Sequence, residues 1–253
     1  MKRLSVLWLV SWFTCAIVAW RSPSSFHLST TLIGPRWAHP FGFDAFGRDL
    51  LATVLRASLT SALFGLIATF LSILSGIGLG AAIALAPAPF RFASLRFLET
   101  LLAFPYLLIA LAWAAIQGPG WGTLLAAILV GTLPTFTRLM YVRTRELISE
   151  EYVLAAQSLG ANPTRILRHH LAPALFSLCR VKIPNLFAAA LIAEATLSFL
   201  GIGAPIGHDT WGSLLMQGKD YLIEAPHIAL SVGLPLVLTT LALQILAAES
   251  DQS

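Results

Sequence analysis

Charge is missing from long, regularly placed stretches of this 253-residue chain, and that most limits what it can fold into. No charged side chain falls between Arg56 and Arg91, between Glu99 and Arg138, or between Glu224 and Glu249; between Lys182 and Asp209 the only one is Glu194. A bilayer core about 30 Å thick takes roughly 20 apolar residues in a helix. The gaps hold one, two, one and one such helices in chain order, and the apolar run 4–20 supplies another, six in all. Composition agrees: 57% of residues are hydrophobic and 11% charged, where a soluble domain carries about 25% charge. The expected fold class is an all-α polytopic membrane protein.

The net charge of +4 is explained by its placement. With loops alternating from an inside N-terminus, the inside segments hold Lys2, Arg3, Arg91, Arg96, Arg138, Arg143, Arg145, Arg165, Arg168, Arg180 and Lys182. The outside segments hold Arg21, Arg36, Arg48, Arg56 and Lys219. Eleven against five follows the positive-inside rule with both termini in the cytoplasm, so the basic balance is topological and nucleic acid is not an expected partner. Cys15 and Cys179 fall in different segments and are not expected to pair. The run behind Met1-Lys2-Arg3 holds Trp8, Trp12 and Phe13 and is long enough to span, so it is read as a retained first span rather than a cleaved signal.

The chain is expected to form one transmembrane domain, 1–253, with spans at 4–20, 57–86, 100–116, 121–137, 183–202 and 225–248. Pro87-Ala88-Pro89 removes donors and ends the second span. Residues 90–98 return as a cytoplasmic loop, and Gln117-Gly118-Pro119-Gly120 is a tight turn between close neighbours. Residues 203–224 read as a polar outside loop. Gly76, Gly78 and Gly80 do not form a dinucleotide fingerprint, since they lie in an apolar helix without the third spacing; they let helices approach closely. No G-x-x-x-x-G-K-[ST] occurs, so any ATP is hydrolysed on another subunit. A hydrolase is disfavoured by the lack of a G-x-S-x-G elbow.

One polar segment interrupts the apolar pattern. Residues 151–173 read EYVLAAQSLGANPTRILRHHLAP. Helix formers over 144–159, Gly160 as a left-handed stop, and Asn162-Pro163 as cap and first helical residue predict helix, turn, short helix. Such a knob fits either a partner's groove or lipid headgroups. Ala155-Ala156, Gly160 and Pro173 in this spacing resemble the EAA loop of binding-protein-dependent ABC importer permeases.

The resemblance extends over nearly the whole chain and is nearest the C-type subunit of the dipeptide/oligopeptide/nickel group. His39-Pro40-Phe41-Gly42-Phe43-Asp44 with Gly47-Arg48-Asp49 looks like that group's motif before span two. Arg96-Phe97-Leu98-Glu99 leading to Phe104-Pro105, and AEATLSFLGIG at 193–203 followed by Trp211-Gly212, resemble its third and fifth spans. The family implies the type I ABC importer permease fold in a bacterial inner membrane. It implies a second homologous permease, two ATPase subunits that bind ATP-Mg, an extracytoplasmic solute-binding protein, and peptides, nickel or metal chelates as solutes. No cofactor is expected on this chain. Residue by residue, it places Leu154, Ala155, Ala156, Gly160, Ala161, His170 and Pro173 in the ATPase-coupling loop. Leu154 stands where the family has a glutamate, Ala172 where it has a leucine, and His169 is an extra neighbour of His170.

Two acids stand in or beside spans. Glu99 is expected to pair with Arg96 at i−3. Glu194 lies inside a span, where charge is costly; it reads as a structural hydrogen bond or, in an ion-coupled secondary transporter, as the relay. His27, His39, His208 and His227 lack ligand spacing, and no metal site is expected. Asp44 is expected to cap the stretch before span two, with Gly42 and Gly47 bending the chain. Trp121 and Trp211 are expected in an interfacial belt.

Overall fold

The computed structural model describes residues 1–20, 28–203, 205 and 207–250. Its helices are α1 (Lys2–Ala19), α2 (Leu50–Leu85), α3 (Ala88–Ala103), α4 (Tyr106–Gln117) and α5 (Trp121–Ile148), then α6 (Glu151–Ser158), α7 (Pro163–Ile166), α8 (Ala172–Phe199), α9 (Trp211–Gly218) and α10 (Pro226–Ser250). Five stretches are long and apolar enough to cross a membrane: α1, α2, α5, Leu167–Phe199 and α10; α3 and α4 meet the same test only taken together, as a pair bent by 86°. The end of the bundle that carries α6 and α7 is called here the loop end, and the opposite one the mouth end.

The central element is α2. Its 36 residues extend about 54 Å at 1.5 Å each, well beyond a bilayer core. Asp49 caps it, accepting from Ala52 N at 2.9 Å. One face is a continuous run of small side chains, among them Ala57, Ser61, Gly65, Ala68, Ser72, Gly76 and Gly80, all buried. This run lets α2 lie directly on α5 and α8. A Cβ on Gly76 would sit 2.5 Å from the Phe136 ring, and one on Gly80 would sit 2.6 Å from Met140 Cβ and 2.9 Å from Thr137 O. Gly78 faces open space. Ser72 and Thr132 hydroxyls join α2 to α5 at 2.7 Å.

Buried side chains form three groups. At the mouth end Trp12, Ala16, Leu50, Val54, Leu191, Trp211, Leu214 and Val232 draw α1, α2, α8, α9 and α10 together. Ala68, Leu124, Ile128, Ala190 and Leu197 join α2, α5 and α8. Phe136, Met140, Leu147, Val153, Ile166, Leu171 and Leu175 fill the loop end.

The expected segments shift in several places. The second span begins at Leu50, so Arg56 lies within α2 rather than in a loop. The return loop 90–98 is helical in α3. The third crossing is no straight rod over 100–116: α3 and α4 meet at an 86° bend. The bend falls at Pro105: helical geometry is disfavoured for the residue before a proline, and Phe104 is extended at φ −90°, ψ 136°. Finally, the polar loop 203–224 contains α9, started by a capping box in which Thr210 Oγ1 accepts from Ser213 N and Ser213 Oγ from Thr210 N.

Candidate functional site

At the loop end, α5 runs past its expected stop to Ile148, and the chain turns at Ser149-Glu150 into α6. The helix expected over 144–159 is therefore two helices with a corner between them. Val153 alone anchors α6: it is buried against the cluster of Leu147, Ile166, Leu171 and Leu175. The rest of the helix points away from the bundle. Leu154, Ala155 and Tyr152 are exposed, Ala156 is half-buried, and Leu159 is 88% exposed.

The turn after α6 is fixed by backbone geometry. Gly160 has φ +85°; its N–H reaches Gln157 O at 2.9 Å, and Ala161 N–H reaches Ala156 O at 3.0 Å. These two bonds define a Schellman stop with the glycine in the left-handed position. Ala161 then packs on the buried cluster, and Asn162 Oδ1 accepts from Arg165 N at 2.8 Å, capping α7 as expected.

The second arm does not end before Pro173. A π turn over Leu167–Leu171 joins α7 to α8, with Ala172 N–H reaching back to Leu167 O. Proline lacks an N–H and its ring crowds the carbonyl four residues earlier; widening the turn accommodates Pro173 without breaking the helix. His170 lies 5.9 Å from the Tyr152 ring, across the loop from α6, while exposed His169 contacts Arg165 O at 3.2 Å. Position 170 thus ties the two arms together and position 169 does not.

At the mouth end, residues 28–49 fold into a compact cap. Gly42 and Gly47 take φ of 75° and 69°. A Cβ on Gly42 would also meet Ile33 O at 2.5 Å. Arg36 and His39 exchange backbone hydrogen bonds around a turn whose Trp37 is fully exposed. Pro40 follows this turn and is exposed. His39 Nδ1 lies 2.5 Å from Asp49 Oδ2, beside the α2 cap. Asp44 does not cap α2; Asp49 holds that position. Asp44 instead accepts from Phe46 N at 2.8 Å and Arg48 N at 2.9 Å through Oδ1, and from Arg48 Nε at 2.6 Å through Oδ2. Arg48 continues to Asp209 Oδ2 at 2.8 Å and Gln217 Oε1 at 3.3 Å. A single buried guanidinium therefore joins the cap to the α8–α9 connection and to α9.

Glu194 lies five residues before the mouth-end terminus of α8 and is fully buried. Ser198 Oγ donates to its Oε1 at 2.7 Å. Ser61 and Thr210 hydroxyls face the same carboxylate from further out, and Oε2 has no hydrogen-bond partner among the described residues. Glu99 pairs with Arg96 at 2.8 Å on an exposed helix face. Trp211 is fully buried, which corrects its expected place in an interfacial belt; Trp121 stacks on Phe64 at 4.3 Å. Among the described residues no group of three or more potential metal ligands occurs; His27 lies outside them.

Sequence reasoning missed the partners: Asp209 and Gln217 for Arg48, Ser61 and Thr210 around Glu194, Tyr152 for His170. Each lies on a different element from its partner, and no local spacing signals such a pair.

A bundle of long apolar helices with an exposed helical knob between α5 and α8 is the pattern of a multi-pass membrane protein. The backbone matches chains of the MetNI methionine ABC transporter in inward-facing conformations, with TM-scores of 0.63 and 0.62 at 15% and 17% identity, over 78% of this chain and 94% of those chains. That likeness establishes the fold, a type I ABC importer permease fold. Residues 74–252 match the family of binding-protein-dependent transport system inner membrane components, and the chain belongs to that family. A protein of Brucella suis biovar 1 named as a peptide transport system permease is 37% identical over 215 residues, 84% of this chain and 71% of its own length. The glutathione transport system permease protein GsiD of Salmonella typhimurium is 31% identical over 238 residues, 94% of this chain and 78% of its own. GsiD of Pectobacterium atrosepticum is 32% identical over 213 residues, 84% and 71% respectively.

Proposed function

We propose that this chain is one of two permease subunits of an ATP-driven importer for peptides or peptide-like thiols. The exposed α6 knob, Leu154, Ala155, Ala156 and Gly160 among its residues, is its contact with an ATPase subunit. The observation that carries this is the shape of the loop. An eight-residue helix held by one buried side chain, stopped by a Schellman turn and tied back by His170, presents apolar Tyr152, Leu154 and Leu159 to solvent. A helix with such a face fits a groove on a partner. Leu154 replaces a carboxylate at the family position, so this contact is apolar there rather than ionic.

Two ATPase subunits holding ATP-Mg, a second permease and an extracytoplasmic binding protein complete the complex in this reading. The loop end faces the cytoplasm together with both termini, and the mouth end faces the binding protein in the bacterial inner membrane. Relatives named for peptide and glutathione transport favour that solute class over nickel or metal chelates. The absence of a cluster of potential metal ligands among the described residues gives nickel no support. ATPase closure pulls α6, and the two-state equilibrium of the bundle shifts with it. The test is copurification of the tagged chain with neighbouring gene products, followed by mass spectrometry of the retained solute. A nucleotide-binding subunit and a bound peptide are expected. Uptake by the chain alone, driven by a proton gradient and indifferent to ATP, would overturn the reading in favour of a secondary transporter using Glu194.

A further inference from the structure

The mouth-end helix α9 meets α2 and α8 at a single, tightly built spot. A Cβ on Gly212 would sit 2.4 Å from Ala195 O and 2.6 Å from Ser198 Cβ, and one on Gly203 would sit 2.3 Å from Ser198 Oγ. Backbone therefore lies against backbone there. Trp211 N–H at the start of α9 donates to Ser61 Oγ of α2 at 3.0 Å. Thr210 Oγ1, the α9 cap, accepts from Ser213 N at 3.2 Å. Each of these hydroxyls has its lone pair in use and its O–H still to donate. The carboxylate they face is that of Glu194, already bonded to Ser198. Three hydroxyls from three elements converge on one buried acid.

We propose that Glu194 is a positioning residue for α9. Its Oε2, without a hydrogen-bond partner among the described residues, is the acceptor on which the Ser61 and Thr210 hydroxyls close to hold the start of α9 to α2 and α8. The mechanical claim stands on this chain's contacts; only its meaning for transport rests on the permease reading above. The geometry assigns the acid a hydrogen-bonding task, not a titrating one. A carboxamide has an acceptor oxygen and the same shape, so it can take over that task; a methyl group cannot. Arg48 reaches both ends of α9, through Asp209 just before its cap and Gln217 in its last turn, so losing Glu194 loosens the seating of α9 on α2 and α8 without unfolding the cap.

Hydrogen–deuterium exchange of the full chain in lipid nanodiscs, with the subunits that copurify, tests this. In Glu194→Ala the amides of 211–218 are expected to exchange about tenfold faster than in the wild type, the loss of one buried hydrogen-bond group, with α10 unchanged. Glu194→Gln is expected to stay within about threefold of the wild type. Gly212→Ala, which pushes α9 off α8 while leaving the acid in place, is expected to reproduce the fast exchange. If Glu194→Ala does not accumulate, Ser61→Ala and Gly212→Ala decide the matter. Wild-type protection of 211–218 in the alanine variants overturns the proposal. So does Glu194→Gln exchanging as fast as Glu194→Ala, since charge and not hydrogen bonding would then hold the helix. Failure to recover an ATPase sinks the permease reading and leaves the exchange result standing.

Discussion

At the scale of single residues, Gly160 separates two kinds of constraint. Nothing lies within 4 Å of where its Cβ would be, yet its φ is +85°. Space is free and backbone geometry is not. A left-handed non-glycine residue costs roughly 1–2 kcal/mol, more for a β-branched one. Gly160→Val is therefore expected to abolish substrate-stimulated ATP hydrolysis in reconstituted complex while its membrane level stays near normal. Gly160→Ala is expected to lose only part of it. Equal stimulation in both variants and wild type, measured as phosphate release, would mean that this turn does not transmit. Gly160 and Asn162 were legible in the sequence because a helix stop and a cap are local events. Asp44 was legible for the same reason, since its Oδ1 accepts from Phe46 N and Arg48 N in the stretch before α2; the cap of α2 itself, Asp49, was not singled out.

At the scale of elements, the cap over 28–49 is joined to α9 by Arg48, whose side chain is 11% exposed and that of Asp44 7%. Removing one member of a buried ion pair costs about 3–5 kcal/mol because the other is left uncompensated. Asp44→Ala with Arg48→Ala removes both members of that pair and strands only the part-exposed Asp209. Arg48→Ala alone leaves the buried Asp44 carboxylate without its cation, while Asp44→Ala alone leaves Arg48 its pairing with Asp209, so the double variant is expected to destabilise less than Arg48→Ala alone. Both variants are expected to lower the yield of assembled complex more than the affinity for the binding protein, read by size-exclusion chromatography and by titration. Normal assembly with weakened affinity would make this segment a docking surface instead. Helix α9 was not legible because its eight residues are too few for a periodic signal and Gly203 to Asp209 read as loop. The break at Pro105 was within reach: proline in an apolar run is a bend signal, and the charge-free length of the gap masked it.

At the scale of the whole molecule, the five long apolar stretches and their order were legible from where charge is absent, since the cost of charge in hydrocarbon acts on every residue of a span. Which faces meet was not, because the small-residue stripe of α2 from Ala57 to Gly80 says nothing of its partner. Single-cysteine labelling with a membrane-impermeant maleimide checks the orientation. Sites in 28–49 and 207–224 are expected to label from outside intact cells and sites in 149–171 only after permeabilisation. Labelling of 149–171 in intact cells would invert the topology.

The π turn at Leu167–Leu171 amounts to a surplus residue stored in a helix. An α-helix advances about 100° per residue, so an insertion normally swings everything beyond it around the axis. A widened turn swallows the insertion and keeps α8 in phase with α7, which keeps Glu194 aimed at Ser61 while Ile166 stays in its cluster. The stored residue can be withdrawn. Deleting His169, exposed and within the π turn, is expected to leave the level of protein in the membrane and stimulated ATP hydrolysis within about threefold of the wild type. Deleting the equally exposed Ala189 from the regular part of α8 turns every mouth-end contact of that helix away from its partner, and assembly is expected to fail. Two deletions of one residue each, twenty positions apart, thus differ by whether the helix has slack to give.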